Sequence, residues 1–230
     1  MSYKTELHCH TREVSKCGKA SAEATVEKYL SLGYSTVVLT NHFSRFTFDN
    51  HRYGNLTDLS WEMKVRFFVS GYERMREVAG DRLNILLGCE LRPNKHDCDF
   101  LIYGVTEEFL LSVPGLIDMK LADISAAVRS AGLIFGQPHP FRDGTKIAKP
   151  ELLDAMEVFN GNLGHGNRNE IARLWAEKFD LIPTAGGDNH AASDSCSGII
   201  TEAPITTNEE LLSVLRSREY ELIRYGDLPY

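Results

Sequence analysis

Glu6-Leu7-His8-Cys9-His10-Thr11 stands at the end of what reads as the first strand and places two histidines two residues apart. Side chains alternate across a strand, so His8 and His10 share one face and Cys9 takes the other. Two neutral imidazoles aimed at one point suit a divalent ion such as zinc, iron or manganese. A His-x-His pair alone is a weak signal, and its meaning depends on what the other strands supply.

They supply a repeating pattern. A helix is expected over 20–33, with Ser21 as its cap and Gly33 as its stop, then a short apolar strand over 35–40 that runs into Asn41-His42. Residues 43–56 read as a long aromatic loop over the mouth of a site, and 59–79 as a long helix. Strands follow at 83–91, which carries Glu90, at 100–105, and at 133–137, which enters Pro138-His139-Pro140; a helix at 118–131 precedes the last of these. The second half continues with a strand at 155–160, a helix at 167–179 and a strand at 182–187 leading to Asp188-Asn189-His190. A strand at 198–201, a helix at 208–217 and a strand at 220–224 complete the chain. Alternating strands and helices predict an α/β chain of parallel β/α units, most simply closed into a TIM-barrel-like barrel.

The bulk numbers agree with a single domain spanning 1–230. The chain has 230 residues, 43% of them hydrophobic, enough for one sizeable core. A formal charge of -7 argues against an extended nucleic-acid surface, and no long apolar run calls for a membrane. Cys9, Cys17, Cys89, Cys98 and Cys196 lack the spacing of a structural zinc site or a disulfide scaffold. Free thiols and the absence of a leader-like start lead to the expectation of a cytoplasmic protein.

His8, His10, His42, Glu90, His139, Asp188 and His190 all fall at or just past the C-terminal ends of expected strands, and five of the eight histidines belong to this set. In a β/α barrel those ends form one rim. Asp188-x-His190 repeats the alternation logic of His8-x-His10 if its strand extends that far. Glu90 is the candidate carboxylate bridge. So many ligands exceed the needs of one tetrahedral ion and point to two or three divalent ions, zinc, manganese or iron, which suits phosphoryl transfer.

His8-x-His10-Thr11, Thr40-Asn41-His42, Gly88-x-Glu90, Pro138-His139-Pro140 and Gly187-Asp188-x-His190 resemble, in order, the motifs of the PHP (polymerase and histidinol phosphatase) superfamily. The resemblance implies a distorted seven-stranded (β/α) barrel and a metal-dependent phosphoesterase. It also implies that His8, His10, Glu90 and Asp188 surround a first ion, that Glu90 and His139 hold a second, and that His42 and His190 hold a third. The sequence departs from the pattern in three places. Lys16-Cys17-Gly18 stands for Ser-Asp-Gly, leaving a thiol where a ligand of the third ion is expected; Asn41 replaces an aspartate; and no histidine occurs in 100–105.

The expected chemistry is hydrolysis of a small phosphomonoester through a metal-activated hydroxide, with Asp188 and Arg142 in the catalytic machinery and Arg142 and Arg12 on the substrate phosphate. A nucleotide or short oligonucleotide is the alternative substrate, with Phe43, Phe46, Phe48 and Tyr53 as a stacking surface. A metal-binding or regulatory module that lost activity is the reading from another class. His51, His96 and His165 read as surface residues, Glu157 and Asn160 as supports of the rim, and Cys9 and Cys89 as apolar filler.

Overall fold

The computed structural model describes residues 2–50, 52 and 54–224, so His51 and Tyr53 lie outside the described residues. The elements, in order, are β1 (Tyr3–Cys9), α1 (Ala22–Ser31), β2 (Tyr34–Leu39), β3 (His42–Ser44), α2 (Arg45–Phe48), the short pair β4 (Asp49–Asn50) and β5 (Gly54–Asn55), and α3 (Trp61–Ala79). Then come β6 (Asn84–Leu87), β7 (Cys89–Arg92), β8 (Phe100–Tyr103), α4 (Glu107–Ser112), α5 (Leu121–Ser130) and β9 (Ile134–Gln137). The chain ends with β10 (Ala155–Asn160), α6 (Asn169–Lys178), β11 (Ile182–Gly186), β12 (Gly198–Thr201), α7 (Asn208–Ser217) and β13 (Glu221–Ile223).

Local chemistry sets the helix boundaries. The Ser21 hydroxyl accepts the Ala24 N–H at 3.3 Å and caps α1, as expected, while Thr207 and Glu210 form a capping box that starts α7. The short α4 is absent from the sequence reading; Thr106 caps it.

Apart from the β4–β5 pair, the strands form two mixed sheets, in the orders β13-β12-β1-β2-β6 and β11-β10-β9-β8-β7-β3. The expected strand at 83–91 is therefore two strands in two sheets, with the break at Gly88. A Cβ there would lie 2.7 Å from Val38 Cγ1 and 2.9 Å from Thr40 Cγ2, so only glycine lets β6 cross so close to β2. The supposed loop after Asn41 starts with β3, which pairs in parallel with β7 through His42↔Glu90. Hydrogen bonds cross the break: Gly88 N–H donates to Leu39 O at 3.0 Å and Glu90 N–H to Asn41 O at 3.1 Å. On the other side, His10 N–H donates to Asn189 O at 2.9 Å, in an isolated parallel bridge Cys9↔Asn189 that ties β1 to the end of β11.

Not every unit is parallel. β8 runs antiparallel to both β7 and β9, and β12 runs antiparallel to β1. The reversal of β8 brings its first residues, not its last, to the level of Glu90: Leu101 faces Glu90 and Phe100 faces Leu91. Buried Phe100 and Phe135, stacked at 5.1 Å between centroids, anchor that part of the core. Among the described residues, no helix is long and apolar enough to cross a membrane.

Candidate metal centre

The end of β1, the β2–β3 break, β7, the segment after β9 and the segment after β11 converge on one buried cluster. His8 Nε2 and His10 Nε2 lie 3.2 Å apart. Glu90 Oε2 is 3.5 Å from His8 Nε2, 3.2 Å from His10 Nε2 and 3.0 Å from His42 Nδ1. Its other oxygen lies 3.2 Å from His139 Nε2. Asp188 Oδ1 lies 3.4 Å and 3.5 Å from the same His8 and His10 nitrogens. All seven rim residues are thus brought together, with His190 joining through its Nδ1, 2.8 Å from the Asp188 carbonyl.

The route differs from expectation at one motif. β11 ends at Gly186, so strand alternation does not align Asp188 with His190; a left-handed turn at Asp188, φ 50°, does. His139 also has positive φ, 30°. Strained backbone at two ligand candidates is the kind of local cost that functional sites retain. At Gly186, a Cβ would lie 2.7 Å from Glu157 Oε1 and run into His8, so the approach of β11 to β1 needs glycine.

Hydrogen bonds determine which ring nitrogen faces the cluster. His8 Nδ1–H donates to buried Glu157 Oε1 at 2.9 Å, which leaves the Nε2 lone pair pointing inward. For His10 the argument runs through Ser15 and Asn41. Asn41 Oδ1 accepts the Thr11 N–H at 2.9 Å, so the Ser15 hydroxyl, 2.7 Å from the same oxygen, must donate to it. Ser15 Oγ then accepts from His42 N–H at 2.9 Å and from His10 Nδ1–H at 3.3 Å. His10 therefore also presents a bare Nε2. Two ring nitrogens 3.2 Å apart, facing two carboxylates, call for positive charge at this point, supplied by protons on the rings or by a cation.

Electrostatics agree. Burial opposes charge on Glu90, but His42 and His8, with His10 nearby and the bond from His139, hold it well below the usual carboxylate range. Asp188 is likewise buried and is held down by His8, His10 and His139. Burial works against a charge on His8, yet Glu157, Asp188 and Glu90 together raise it well above the ordinary histidine value. Without an ion, protons on the inner imidazoles balance the acids, and an ion would displace them. The outer histidines behave oppositely: burial and then the His10 charge lower His190 to about 4, and burial lowers His42.

Ligand-bearing atoms fall into overlapping groups: His8, His10 and Asp188; His8, Glu90 and His139; His10, Cys17, His42 and His190; and His42, Glu90 and Asp99. Asp99 is missed by the sequence reading, because the reversed β8 is what brings it to the rim; Arg92 holds it with two bonds of 2.6 Å. Glu6, also missed, is a buried carboxylate that accepts the N–H groups of Leu7, His8, Gly187 and Ser197 and so locks the first motif to the last. Its place two residues before His8, in the same alternating register, marks it only in hindsight. Glu157 and Asn160 do support the rim: Glu157 Oε2 accepts His139 N–H at 2.8 Å and Asn160 Nδ2 at 2.8 Å.

Among the substrate candidates, Arg142 reaches the cluster, its Nη1 3.5 Å from Asp188 Oδ2 with the side chain 28% exposed. Arg12 is 57% exposed and pairs with Glu13 at 3.9 Å. The aromatic surface is smaller than expected, because Phe43 and Phe48 are buried against α3, leaving Phe46 exposed at 58%. His165 is exposed, while His96 is half-buried with its ring edge toward Phe100. Cys9 and Cys89 are buried filler, as expected.

No family model matches the sequence, and no curated protein matches it. Solved structures match the fold. One is a two-domain protein from Bacteroides vulgatus containing a predicted PHP-like metal-dependent phosphoesterase, with a TM-score of 0.70 and 16% identity over 97% of this chain. The chain shares the fold of that protein. Also similar in fold are PsfC from Pseudomonas syringae, TM-score 0.68 and 17% identity over 98% of this chain, and the lesion-specific endonuclease PfuEndoQ from Pyrococcus furiosus, TM-score 0.65 and 11% identity over 96%. The chain spans 65% of the B. vulgatus protein and 58% of PfuEndoQ, against 92% of PsfC.

Proposed function

We propose that this PHP-fold chain is a metal-dependent hydrolase that cleaves a small phosphomonoester. We read its two sheets, joined by bonds across the Gly88 break and at Cys9↔Asn189, as a distorted seven-stranded barrel with the cluster on its rim. The observation that carries the proposal is the pair of inward Nε2 lone pairs of His8 and His10 facing Glu90 and Asp188.

The residues fit divalent ions. Glu90 Oε2, although three imidazole nitrogens lie within 3.5 Å, makes no properly directed hydrogen bond, and the buried Nδ1 of His139 has no partner. His8, His10, Asp188 and Glu90 would hold one ion, Glu90 and His139 a second, and His42 and His190 a third. When bound, such ions supply Lewis acidity: they activate water and offset the charge on phosphoryl oxygens. Glu157 and Ser15 keep His8 and His10 in the tautomers that hold the ions. Arg142, anchored by one nitrogen to Asp188, directs the rest of its fork at a phosphoryl oxygen.

Size and lining argue for a small substrate. A cavity of about 310 Å³ beside His42 is lined by Lys16, Cys17, Ser44, Phe46, Thr47 and Arg92. Lys16 suits an anionic group on the substrate, while Arg92 is already held by Asp99. Exposed Phe46 favours a nucleoside monophosphate as the second reading, since a base could lie on its ring. The test is phosphate release from sugar phosphates, histidinol phosphate, nucleoside monophosphates and short RNA, with manganese, zinc or iron supplied and then removed by a chelator. Turnover that requires the metal supports the proposal. Full metal content by elemental analysis with no turnover on the whole panel overturns it in favour of a binding module.

A further inference from the structure

Cys17 is exposed, unlike Cys9, Cys89, Cys98 and Cys196, so it does not serve as apolar filler of the core. Its sulfur lies in one group with nitrogens of His10, His42 and His190, all within 4.8 Å of one another. The segment that carries it is tied to the backbone at both outer histidines. Ser15 Oγ accepts His42 N–H at 2.9 Å, while Lys19 and Ala20 donate their N–H groups to His190 O at 2.7 Å and 2.9 Å. Gly18 closes the turn, its N–H donating to Ser15 O at 3.0 Å. The segment is thus fixed at both outer histidines by bonds that involve no ion, and its thiol lies within 4.8 Å of a nitrogen of each.

His10 does not complete this outer group, because its Nδ1 is committed to Ser15 and its Nε2 faces Asp188 and Glu90. Its ring stacks on that of His42, at 4.7 Å between centroids, and on that of His190, at 4.6 Å. That leaves one thiol and two imidazoles, three protein ligands and an open position, the pattern of a reactive zinc site and not of a closed structural one. A thiolate offers one negative charge, as a carboxylate does, but it is soft. Softness favours zinc and other thiophilic ions over manganese, whereas the carboxylates of the inner positions favour harder ions.

We propose that Cys17, His42 and His190 form a zinc-selective position, so that the centre is heterometallic, with a thiophilic ion outside and carboxylate-bound ions inside. The inference rests on the metal-centre reading above, but its readouts do not depend on turnover. The full-length chain is titrated with cobalt as a spectroscopic stand-in for zinc, and zinc and manganese contents are measured after dialysis against a weak chelator.

The expected result is a sulfur-to-cobalt charge-transfer band in the near ultraviolet that is absent in Cys17→Ser. The serine variant should also lose zinc at this position by at least the roughly 10–100-fold that removing a mere outer-shell partner costs. Cys17→Asp should restore occupancy, now with manganese. Cobalt ligand-field bands without a sulfur band in the wild type, or a sulfur band that survives in Cys17→Ser, overturn the inference while leaving the metal centre standing. Absence of any cobalt binding overturns both. A sulfur band with no phosphate release upholds the inference and removes the phosphoesterase reading.

Discussion

His8 and His10 are buried, and each has its Nδ1 tied to a neighbour, Glu157 at 2.9 Å and Ser15 at 3.3 Å, so that only Nε2 is left for a ligand. His42 and His190 sit on the outer side of the same cluster with side chains 23% and 21% exposed. The inner pair is surrounded by two carboxylates and has its charged form favoured; the outer pair has its neutral form favoured. Burial is shared by all four rings. What separates them is the balance of charges: several carboxylates act on each inner ring, whereas burial and the neighbouring His10 charge outweigh the acids near His42 and His190. The inner half is therefore charged and paired with acids, and the outer half offers neutral imidazoles at the partly exposed edge of the cluster.

This contrast orders the expected effects. His10→Ala or Asp188→Ala, which cut into the inner half, should lower turnover by more than about 100-fold and remove bound metal, because losing a ligand exceeds the roughly 10–100-fold cost of losing an outer-shell partner. Steady-state kinetics with elemental analysis measure both, and an equal loss in His190→Ala would erase the distinction between the halves. Glu157→Gln comes next. Its amide can accept one of the bonds now made to His8 and His139 but not serve all its partners as an anion, so inner-metal affinity should fall about 10–100-fold, read by chelator competition. If affinity is unchanged, the fixed tautomer of His8 does not matter. Arg142→Ala should have the smallest effect, a KM raised about tenfold with metal content intact, the size of one lost charge-assisted bond of about 1.5 kcal/mol. Loss of metal in that variant would move Arg142 from the substrate to the support of Asp188.

Much of the centre was legible in the sequence because strand ends in a β/α chain gather at one rim, and side chains that ligate metals are few. His8-x-His10 works as its alternation predicts. Asp188-x-His190 reaches the same place by a different means, a left-handed turn that no two-residue periodicity encodes. The run 100–105 reads as one more parallel strand, since an apolar stretch carries no mark of direction; its reversal is visible only in the pairing, and with it the position of Asp99. The run 83–91, mostly apolar, hides a change of sheet at Gly88, because both halves are largely buried and no turn residue other than that glycine separates them. Asn41, which looks like a lost carboxylate, is the amide whose oxygen directs the Ser15 hydroxyl and through it the tautomer of His10.

By itself, the sequence determined which residues can bind a metal and in what order the motifs arrive, because ligand capacity belongs to the side chain. Only the tertiary structure decided which nitrogen of each ring faces inward, which ligands share a neighbourhood, and that Cys17 belongs with His42 and His190 and not with the core. The reason is reach. A lone pair is aimed by a hydrogen bond on the far side of its ring, and for His8 that bond comes from Glu157, 149 residues away.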